Sequence, residues 1–436
     1  MNIIEPKVLK GFRDYLPKTM INKKKMISYI EKVFESFGFS PIDTPCIEYT
    51  EILLGKGGNE TDKQLFRFND NGGRDVTLRF DLTVPLARFI AQHYNELGVP
   101  FRAYHIGPVW RGENTHKGRY REFYQCDFDI LGTESNLSDI EIIQVMYNSI
   151  CGLIQSNNFC IHINNRIILN SLLEELGLLS KSVEILRVID KIKKEPLDKI
   201  KSYLENLNID KDNINKILDL VNLNDDNQNI IKYLSNKLGS NNEGVKNLNQ
   251  VIEFSESIGI PNKCLKIDLS IARGLDYYTG NVFETILDDI KSIGSICSGG
   301  RYNNLASLYT THKIPGVGAS IGLDRLISAL EELNKLENRF TTSDVIIIKM
   351  DNNFVKEYLK IAKVLRENNI KTEFFTDEKK IDKQLKYADR KGIKFAITNA
   401  LNEFEKNIVK LKNLKDYSYI EGSLDEIINY LKVNIN

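Results

Sequence analysis

A chain of 436 residues is long enough for two or three domains. Hydrophobic residues make up 42% and charged residues 27%, a balance that is typical of globular proteins and excludes a disordered chain. The 59 Lys and Arg residues equal the 59 Asp and Glu residues, and this neutrality argues against a protein that coats nucleic acid without specificity. Any binding of nucleic acid would need local basic patches.

Cysteine usage and hydropathy predict a cytoplasmic protein. None of the six cysteines forms a C-x-x-C pair, which argues against a structural zinc site and favours reduced, buried thiols. The first ten residues lack the apolar core of a signal peptide. No apolar run approaches the roughly 20 residues that span a bilayer, so we expect no membrane partner.

The first half of the chain predicts helices at both ends of a strand-rich region. Residues 18–37 carry an apolar stripe at helical spacing, and Gly38 and Pro41 end that helix. Short strand-like pieces follow up to Leu131. Residues 138–157 again predict a helix.

The second half begins with a helical stretch at 165–260, which is poor in aromatic residues and predicts an inserted helical module. Strand patterns return at 264–271, 282–287 and 293–298, and a strand at 316–322 leads into a helix at 323–336. Strand–helix alternation from Ser343 predicts a compact α/β domain, with strands at 345–350, 371–375, 394–398 and 407–411 and helices at 354–368, 383–391 and from Ser423.

Residues 119–130, RYREFYQCDFDI, predict a strand with two different faces. Tyr120, Glu122, Tyr124, Cys126, Phe128 and Ile130 would form one mostly apolar face. The other face would present Arg119, Arg121, Phe123, Gln125, Asp127 and Asp129. Taken alone, this polar row fits the solvated face of an antiparallel sheet.

The preceding strand changes that interpretation. Residues 101–111 end in Trp110-Arg111-Gly112-Glu113, and the polar residues 114–118 predict a hairpin turn. The hairpin would bring Arg111 and Glu113 close to Arg119 and Phe123. An arginine offers a planar fork for phosphate oxygens, and a phenyl ring offers a surface on which a base stacks.

Two further segments suggest ligand contacts, each with a plain structural alternative. In LRFDLT, 78–83, alternation predicts Arg79, Asp81 and Thr83 on one face, where Asp81 could hold an ammonium group; a surface strand explains it equally. In residues 271–284, Arg273, Tyr277 and Tyr278 lie close to glycines that would permit close approach of a ligand. The structural alternative is a turn with two half-buried tyrosines.

Two glycine-containing segments complete the set. The pair Gly299-Gly300 beside Arg301 predicts a turn. In GVGASIGLDRL, 316–326, a strand runs into a helix whose first turn carries Arg325, where a cation is disfavoured unless it meets an anionic ligand. The five histidines show neither metal-ligand spacing nor a catalytic triad, so we predict no metal site and no histidine base.

Together these segments resemble the histidyl-tRNA synthetase family over nearly the whole chain. WRGEN with GRYREFYQCDFDILG resembles the second class II motif, GVGASIGLDRL the third, and GFSPIDTPCIE, with Pro45, the first. ARGLDYYTG and SGGRYNNL resemble two stretches specific to the histidine enzymes. The resemblance implies a class II α+β fold, in which an antiparallel-sheet catalytic domain (1–164 and 261–336) carries a helical insertion (165–260) and precedes an anticodon-binding α/β domain (343–436).

The resemblance also implies roles for the candidate residues. Arg111 and Arg273 would act in catalysis, at the ATP α-phosphate and the histidine carboxylate. The histidine site would comprise Asp81, Thr83, Arg111, Gln125, Asp129, Arg273, Tyr277 and Tyr278. The ATP site would comprise Arg111, Glu113, Arg119, Arg121, Phe123 and Arg325.

The implied reaction activates L-histidine with ATP, accompanied by Mg²⁺, and transfers the histidyl group to the 3′ end of tRNA(His). The first motif implies a homodimer. Two alternatives stay open at this point: a non-catalytic paralogue that regulates ATP phosphoribosyltransferase, and an RNA-binding protein without activity. The presence of the C-terminal domain and of Arg273 disfavours the paralogue, and the neutral charge disfavours general RNA binding.

Overall fold

The computed structural model describes residues 3–55, 64–193, 195–271 and 277–435. The chain divides into two compact units. The large unit comprises Met1–Arg13 and Met26–Lys335, and the small unit comprises Asp14–Lys25 and Leu336–Asn436. Helix α1, Pro17–Ser36, contributes to both. Within the described residues, no helix combines the length and the apolar character needed to cross a membrane.

An eight-stranded sheet organises the large unit. Its inner pairs are antiparallel, and only the strand at each edge runs parallel to its neighbour. In spatial order the strands are β1 (Ser40–Pro41), β5 (Phe101–Trp110), β6 (Glu122–Leu131), β11 (Gly316–Gly322), β10 (Cys297–Tyr302), β9 (Asn281–Leu287), β7 (Phe159–Asn165) and β8 (Leu265–Ile267).

Strand β6 separates an apolar face from a polar one, as alternation predicts. Cys126, Phe128 and Ile130 are fully buried. The Phe128 ring lies 4.7 Å, centroid to centroid, from the ring of Phe34 in α1. Burial of this face against α1 fixes the register of the strand. The opposite face therefore carries Gln125, Asp127 and Asp129.

A second, three-stranded antiparallel sheet lies in the large unit, in the order β2 (Ile47–Tyr49), β4 (Asp75–Leu78), β3 (Arg67–Asn69). Helices α2 (Thr50–Leu54), α3 (Thr83–Gln92) and α4 (Tyr94–Leu97) follow β2 and β4. The large unit also contains α5 (Asn136–Ile154) after β6 and α12 (Leu323–Glu332) after β11.

The segment with helical periodicity forms helices, as predicted. Several begin at a side-chain cap, because Asn165, Asp210, Asp226 and Asn242 each accept a backbone N–H of the first turn. The helices are α6 (Arg166–Glu175), α7 (Ser182–Ile189), α8 (Leu197–Asn206), α9 (Lys211–Val221), α10 (Asn227–Leu238) and α11 (Glu243–Ser255). They belong to the large unit, and their status as a separate inserted domain stays a prediction.

The small unit has the predicted α/β architecture around a five-stranded sheet. The strand order is β13 (Thr372–Phe374), β12 (Val345–Ile347), β14 (Phe395–Ile397), β15 (Val409–Asn413), β16 (Tyr419–Gly422). Its helices are α13 (Val355–Glu367), α14 (Ile381–Lys391), α15 (Leu401–Glu405) and α16 (Leu424–Asn434). Buried residues of α13 and α16 share one apolar cluster with the sheet, and Ala388 of α14 belongs to another, so the sheet is covered on both faces.

Three local predictions were wrong. Residues 78–83 do not continue as a strand, because β4 ends at Leu78 and α3 begins at Thr83. Residues 299–302 lie inside β10 rather than in a turn. Residues 293–298 are not one strand either, since a 3₁₀ helix, Asp288–Ile293, precedes β10.

Candidate active site

A cavity of about 680 Å³ opens in the large unit, along the polar face of the sheet. Strands β6, β9, β10 and β11 contribute to its wall, together with residues of the β5–β6 hairpin and the start of α12. The cavity brings together most of the residues that the sequence singled out: Asp81, Thr83, Arg111, Glu113, Arg119, Phe123, Gln125, Asp129, Tyr277, Tyr278 and Arg325.

Two candidates stand apart from this group. Arg121 does not line the cavity; its Nε donates to the carbonyl of Glu113, and its aliphatic stem lies close to Gly11. Its backbone N–H donates to the carbonyl of Gly11, and it lies just before β6, which begins at Glu122. The assignment of Arg121 to the ATP site stays a prediction. Arg273 lies outside the described residues.

One end of the cavity is lined by buried acidic and phenolic groups. Asp129 of β6 is paired in register with Gly318 of β11, where a side chain would collide with the Asp129 carboxylate. The Tyr302 hydroxyl donates to Asp129 Oδ1 over 2.5 Å. Burial raises the pKa of Asp129 to about 7, although this hydrogen bond favours the ionised form.

Asp81 reaches the same end from another element. Its Oδ1 accepts the backbone N–H of Val84 over 3.1 Å and so caps the start of α3. Burial raises the pKa of Asp81 to about 6, against the opposing charge of Arg111. A carboxylate enclosed in this way binds a cationic or N–H-rich ligand more strongly than it would in water.

Three tyrosine rings form an apolar wall beside these carboxylates. The Tyr277 centroid lies 5.0 Å from that of Tyr278 and 5.9 Å from that of Tyr302. Burial raises the pKa of all three phenols, which keeps them as neutral hydroxyl groups that can donate and accept hydrogen bonds. The Thr83 hydroxyl hydrogen-bonds to Tyr277. This end of the cavity suits a small, planar, polar ring.

The other end combines cations with an aromatic face. Arg111 Nε donates to the carbonyl of Phe80 over 2.8 Å, and its guanidinium carbon lies 5.2 Å from the centroid of the Phe123 ring. Arg119 forms an ion pair with Glu113. Burial opposes ionisation of Glu113, but the hydrogen bond from Arg119 and the charge of Arg111 outweigh it and lower its pKa. This end suits a base and its phosphates.

The start of α12 adds a third group of contacts. Arg325 donates to the carbonyl of Ser295 over 2.6 Å and lines the cavity. Its neighbour Asp324 is buried and accepts hydrogen bonds from Arg13 over 2.7 Å and from the backbone N–H of Tyr124 over 2.6 Å. These bonds tie the amino-terminal segment and β6 to α12, and thereby fix Arg325 at the cavity.

The cation beside the glycine pair has a structural partner. Arg301 is buried in β10 and forms an ion pair with Asp139 of α5. It also donates to the carbonyls of Thr133 and Ser135, both over 2.9 Å. The predicted turn at this glycine pair is thus corrected, because these residues lie in β10. Arg301 has a structural role, since breaking a buried, hydrogen-bonded ion pair is costly.

Sequence reasoning missed several residues of the cavity. Asp127 stood on the predicted polar face but was given no role. Tyr302, Ser320 and Asp324 lie within SGGRYNNL and GVGASIGLDRL but were given no role, because their partners lie 173, 195 and 200 positions away in the chain. For Asp127 the alternation of β6 was a sufficient signal. The contacts of Ser320 and Tyr302 appear only once β6 pairs with β11 and β11 with β10, and that of Asp324 only once the start of α12 lies against β6.

Comparison with known families identifies related proteins. A family model described as Histidyl-tRNA synthetase matches residues 11–326, and one described as Anticodon binding domain matches residues 344–434. These two matches span most of the large unit and of the small unit, respectively.

Histidine–tRNA ligases of other organisms align over nearly the whole chain. The chain is similar to the histidine–tRNA ligase of Rhodopirellula baltica, with 47% identity over 99% of both chains. It is 42% identical to the histidine–tRNA ligase of Treponema denticola over the whole of both chains. The crystal structure of histidyl-tRNA synthetase from Nostoc sp. PCC 7120 superposes with a TM-score of 0.89 at 33% identity, covering 99% of this chain and 100% of that one.

Proposed function

Since this chain belongs to the histidyl-tRNA synthetase family, we propose that its cavity activates L-histidine with ATP and then passes the histidyl group to tRNA(His). The activity is that of an ATP-dependent histidine–tRNA ligase, which the full-length relatives carry by name. One observation supports placing the chemistry in this cavity: a recess of carboxylates and phenols meets a cation-lined, aromatic end within a single 680 Å³ space.

Histidine occupies the recess. Asp129 and Tyr278 bind the imidazole N–H and ring nitrogen, and Tyr277 packs alongside. The α-amino group lies towards Asp81, Thr83 and Gln125. The burial of Asp81, Gln125 and Asp129 and the placement of all six side chains in the cavity wall support the assignment. A polar ring enclosed by matched donors and acceptors is selected over apolar amino acids of similar size.

ATP occupies the other end. Arg111 contacts the α-phosphate, Glu113 accepts from the adenine amino group, and Arg119 holds Glu113 in place. Phe123 and Arg325 enclose the adenine between a phenyl ring and a guanidinium group. Arg273 acts on the histidine carboxylate and the α-phosphate; this role rests on the ARGLDYYTG motif, since Arg273 lies outside the described residues.

The reaction needs no protein nucleophile. A histidine carboxylate oxygen attacks the α-phosphorus, the bond to the β-phosphate oxygen breaks, and pyrophosphate leaves. The 3′-hydroxyl of the terminal adenosine then attacks the acyl carbon, and AMP leaves. The enzyme contributes position and cations at the oxygens where charge accumulates. ATP enters as its Mg²⁺ complex, and the Glu284 carboxylate in the cavity wall offers the oxygen ligand that Mg²⁺ prefers.

The small unit binds the tRNA anticodon region. A surface groove of about 430 Å³ is lined by four cationic and two aromatic side chains: Lys379, Lys383, Lys386, Arg390, Phe375 and Tyr387. Cations bind the phosphate backbone, and aromatic rings stack on exposed bases. This groove is the local basic patch that a chain of zero net charge requires.

We also propose a cytoplasmic homodimer. The location follows from the activity, because tRNA charging serves translation in the cytoplasm. The dimer proposal rests on the resemblance of GFSPIDTPCIE to the first class II motif. The regulatory alternative is not favoured, because relatives aligned over the full chain are histidine–tRNA ligases and the anticodon-binding match is present.

Histidine-dependent exchange of pyrophosphate into ATP tests the proposed function. The purified chain should catalyse exchange with L-histidine and not with L-glutamine or L-phenylalanine, and it should charge tRNA(His). A chain that binds tRNA but shows no exchange with any amino acid would contradict the proposal.

A further inference from the structure

Among the residues that the structure describes, three buried oxygen atoms of the active-site cavity find no hydrogen-bond partner: Asp81 Oδ2, Gln125 Oε1 and Asp127 Oδ1. Their residues are only 1%, 9% and 2% exposed. A buried acceptor without a partner is costly, and native proteins rarely retain one unless a ligand completes it. Three such atoms in one cavity wall indicate a ligand with several donors.

Asp127 belongs to this group by its connections as well as its burial. It is paired in register with Ser320 of β11, and the Ser320 hydroxyl donates to it. The same hydroxyl oxygen accepts Gln125 Nε2 over 2.7 Å. These bonds fix the side chains of Gln125 and Asp127 and leave one oxygen of each without a partner in the described part of the chain.

Asp129 is different from its neighbour two positions earlier. Asp129 Oδ1 already accepts a hydrogen bond from the Tyr302 hydroxyl. This bond orients the Asp129 carboxylate at the end of the recess that binds the imidazole ring. Asp127 lies between Gln125 and Asp129 on β6, and its charge and that of Asp81 influence one another. Three unpartnered acceptors match the three N–H donors of one ammonium group.

We propose that Asp127 is a substrate-binding residue whose Oδ1 accepts one N–H of the histidine α-ammonium group, while Asp81 Oδ2 and Gln125 Oε1 accept the others. This inference rests on the proposed function and adds a residue to it. The ammonium charge also offsets the repulsion among the enclosed carboxylates, which burial and Asp129 otherwise force towards the protonated form by raising the pKa of Asp127. Asp127 therefore contributes to selection for an amino acid over other imidazoles.

Two ligands separate this role from a structural one. Histidinol keeps the ammonium group and the imidazole but lacks the carboxylate, and 3-(imidazol-4-yl)propionate keeps the carboxylate and the imidazole but lacks the ammonium group. We expect Asp127→Asn to raise the dissociation constant of histidinol by about 10- to 100-fold, the scale of one hydrogen bond to a charged group. The dissociation constant of the propionate should stay unchanged. Calorimetry at fixed pH measures both.

The substitution conserves shape and can keep the bond from Ser320, and thermal unfolding checks that the variant is folded. The second variant is Asp127→Ser, which replaces the carboxylate by a smaller hydroxyl group. The control is Asp198→Asn, at an exposed position of α8. Equal weakening of both ligands, or unchanged binding of histidinol, would overturn the assignment. Failure of the wild-type chain to exchange pyrophosphate with histidine would instead overturn the proposed function, so the two failures are distinguishable.

Discussion

At the scale of single residues, the active site concentrates negative charge where solvent is excluded. Asp81, Asp127 and Asp129 all line the cavity, and burial raises the pKa of each. Ionised carboxylates in such surroundings cost folding free energy until a ligand offsets them. The carboxylates that bind a cationic substrate therefore lower the folding stability of the ligand-free enzyme.

The pH dependence of stability should report this cost. The pKa of Asp129 is about 7 in the folded chain and near 3.8 in a free carboxyl, so folded molecules bind the proton more tightly. Stability from Asp129 is fully present below the ordinary pKa and is lost as the pH rises towards 7, at about 1.4 kcal/mol for each unit between the two pKa values. We predict that Asp129→Asn, which cannot ionise, gains melting temperature relative to wild type between pH 5 and pH 8.

The comparison with wild type reports Asp129 together with its effect on Asp127, whose pKa the charge of Asp129 raises, and both contributions favour the variant. Burial lowers the pKa of His105 to about 4, which gives stability of the opposite pH dependence, but His105 is present in both proteins and cancels in the difference. Differential scanning fluorimetry without ligands measures the effect. A melting-temperature difference that stays constant from pH 5 to pH 8 would contradict the prediction.

Recognition of the imidazole should depend on Asp129 and on the hydroxyl that orients it. Asp129→Ala should reduce kcat/KM for histidine by roughly 10⁴-fold, the discrimination that a polar site gives. Tyr302→Phe should raise KM by about 10-fold, because only one hydrogen bond to a charged group is lost. Tyr358→Phe removes a comparable buried hydroxyl in the small unit, where it donates to Asn399, and should leave KM unchanged. Wild-type kinetics in Asp129→Ala would refute the role.

Arg111 should act mainly on the activation step. Arg111→Ala is expected to slow adenylate formation by about 10²- to 10³-fold, the effect of losing one transition-state donor. Arg111→Lys keeps the charge but loses the planar fork and should recover only part of the rate. Arg102→Ala serves as the control, because it removes an arginine of β5, the strand just before Arg111, that pairs with Glu141. Single-turnover formation of histidyl-adenylate measures all three, and equal rates in Arg111→Ala and wild type would remove Arg111 from the mechanism.

The sequence could predict individual side chains only where a local rule applied. Alternation along β6 predicted that Gln125 and Asp129 share a face, and both line the cavity. The same rule included Arg121, which lies before the strand begins at Glu122 and does not line the cavity. The bond from Tyr302 to Asp129 spans 173 positions, and only the pairing of distant strands produces it.

At the scale of elements, long periodic segments were predictable and short ones were not. The helices after Asn165 and the strand–helix alternation after Ser343 follow from burial of one apolar face. Residues 78–83 are too few for alternation of polar and apolar residues to identify a strand. The extended backbone ends there because the Asp81 side chain accepts the Val84 N–H at the start of α3. The predicted turn at 299–302 is a strand because its two glycines lie in the registers of β9 and β11.

The groove beside α14 should carry the contribution of the small unit to tRNA binding. Lys386→Glu reverses one charge in the groove and should weaken charging of tRNA(His), while histidine-dependent pyrophosphate exchange stays at the wild-type rate. The slope of log affinity against log salt should fall by about one or more, as expected when phosphate contacts are lost. Lys360→Glu reverses an exposed charge on α13 and provides the control. Equal loss of tRNA(His) charging in both variants would show that the groove contributes no more to tRNA binding than the rest of the surface.

At the scale of the whole molecule, the proposed homodimer concerns the three-stranded sheet of the large unit. Ile47 and Tyr49 of β2 and Phe68 of β3 expose 47%, 49% and 41% of their surface. Exposed apolar side chains grouped on one small sheet are typical of an interaction surface. The same sheet is connected to the active site. β2 pairs with β4, and the backbone N–H of Arg79, which lies two residues before Asp81, donates to the carbonyl of Cys46.

A charge on this surface should therefore affect both assembly and catalysis. The wild-type chain should sediment at twice its 50.0 kDa mass, because two-fold symmetric dimers are the commonest soluble assembly. Ile47→Asp buries a carboxylate at the proposed interface and should shift the mass to one chain. Loss of the neighbouring subunit would release β2 and β4, displace Asp81, and raise KM for histidine. Val183→Asp changes an equally exposed aliphatic residue of α7 and should alter neither property. A monomeric wild-type chain with full exchange activity would end the dimer proposal, whereas a dimeric Ile47→Asp variant would move the interface to another surface.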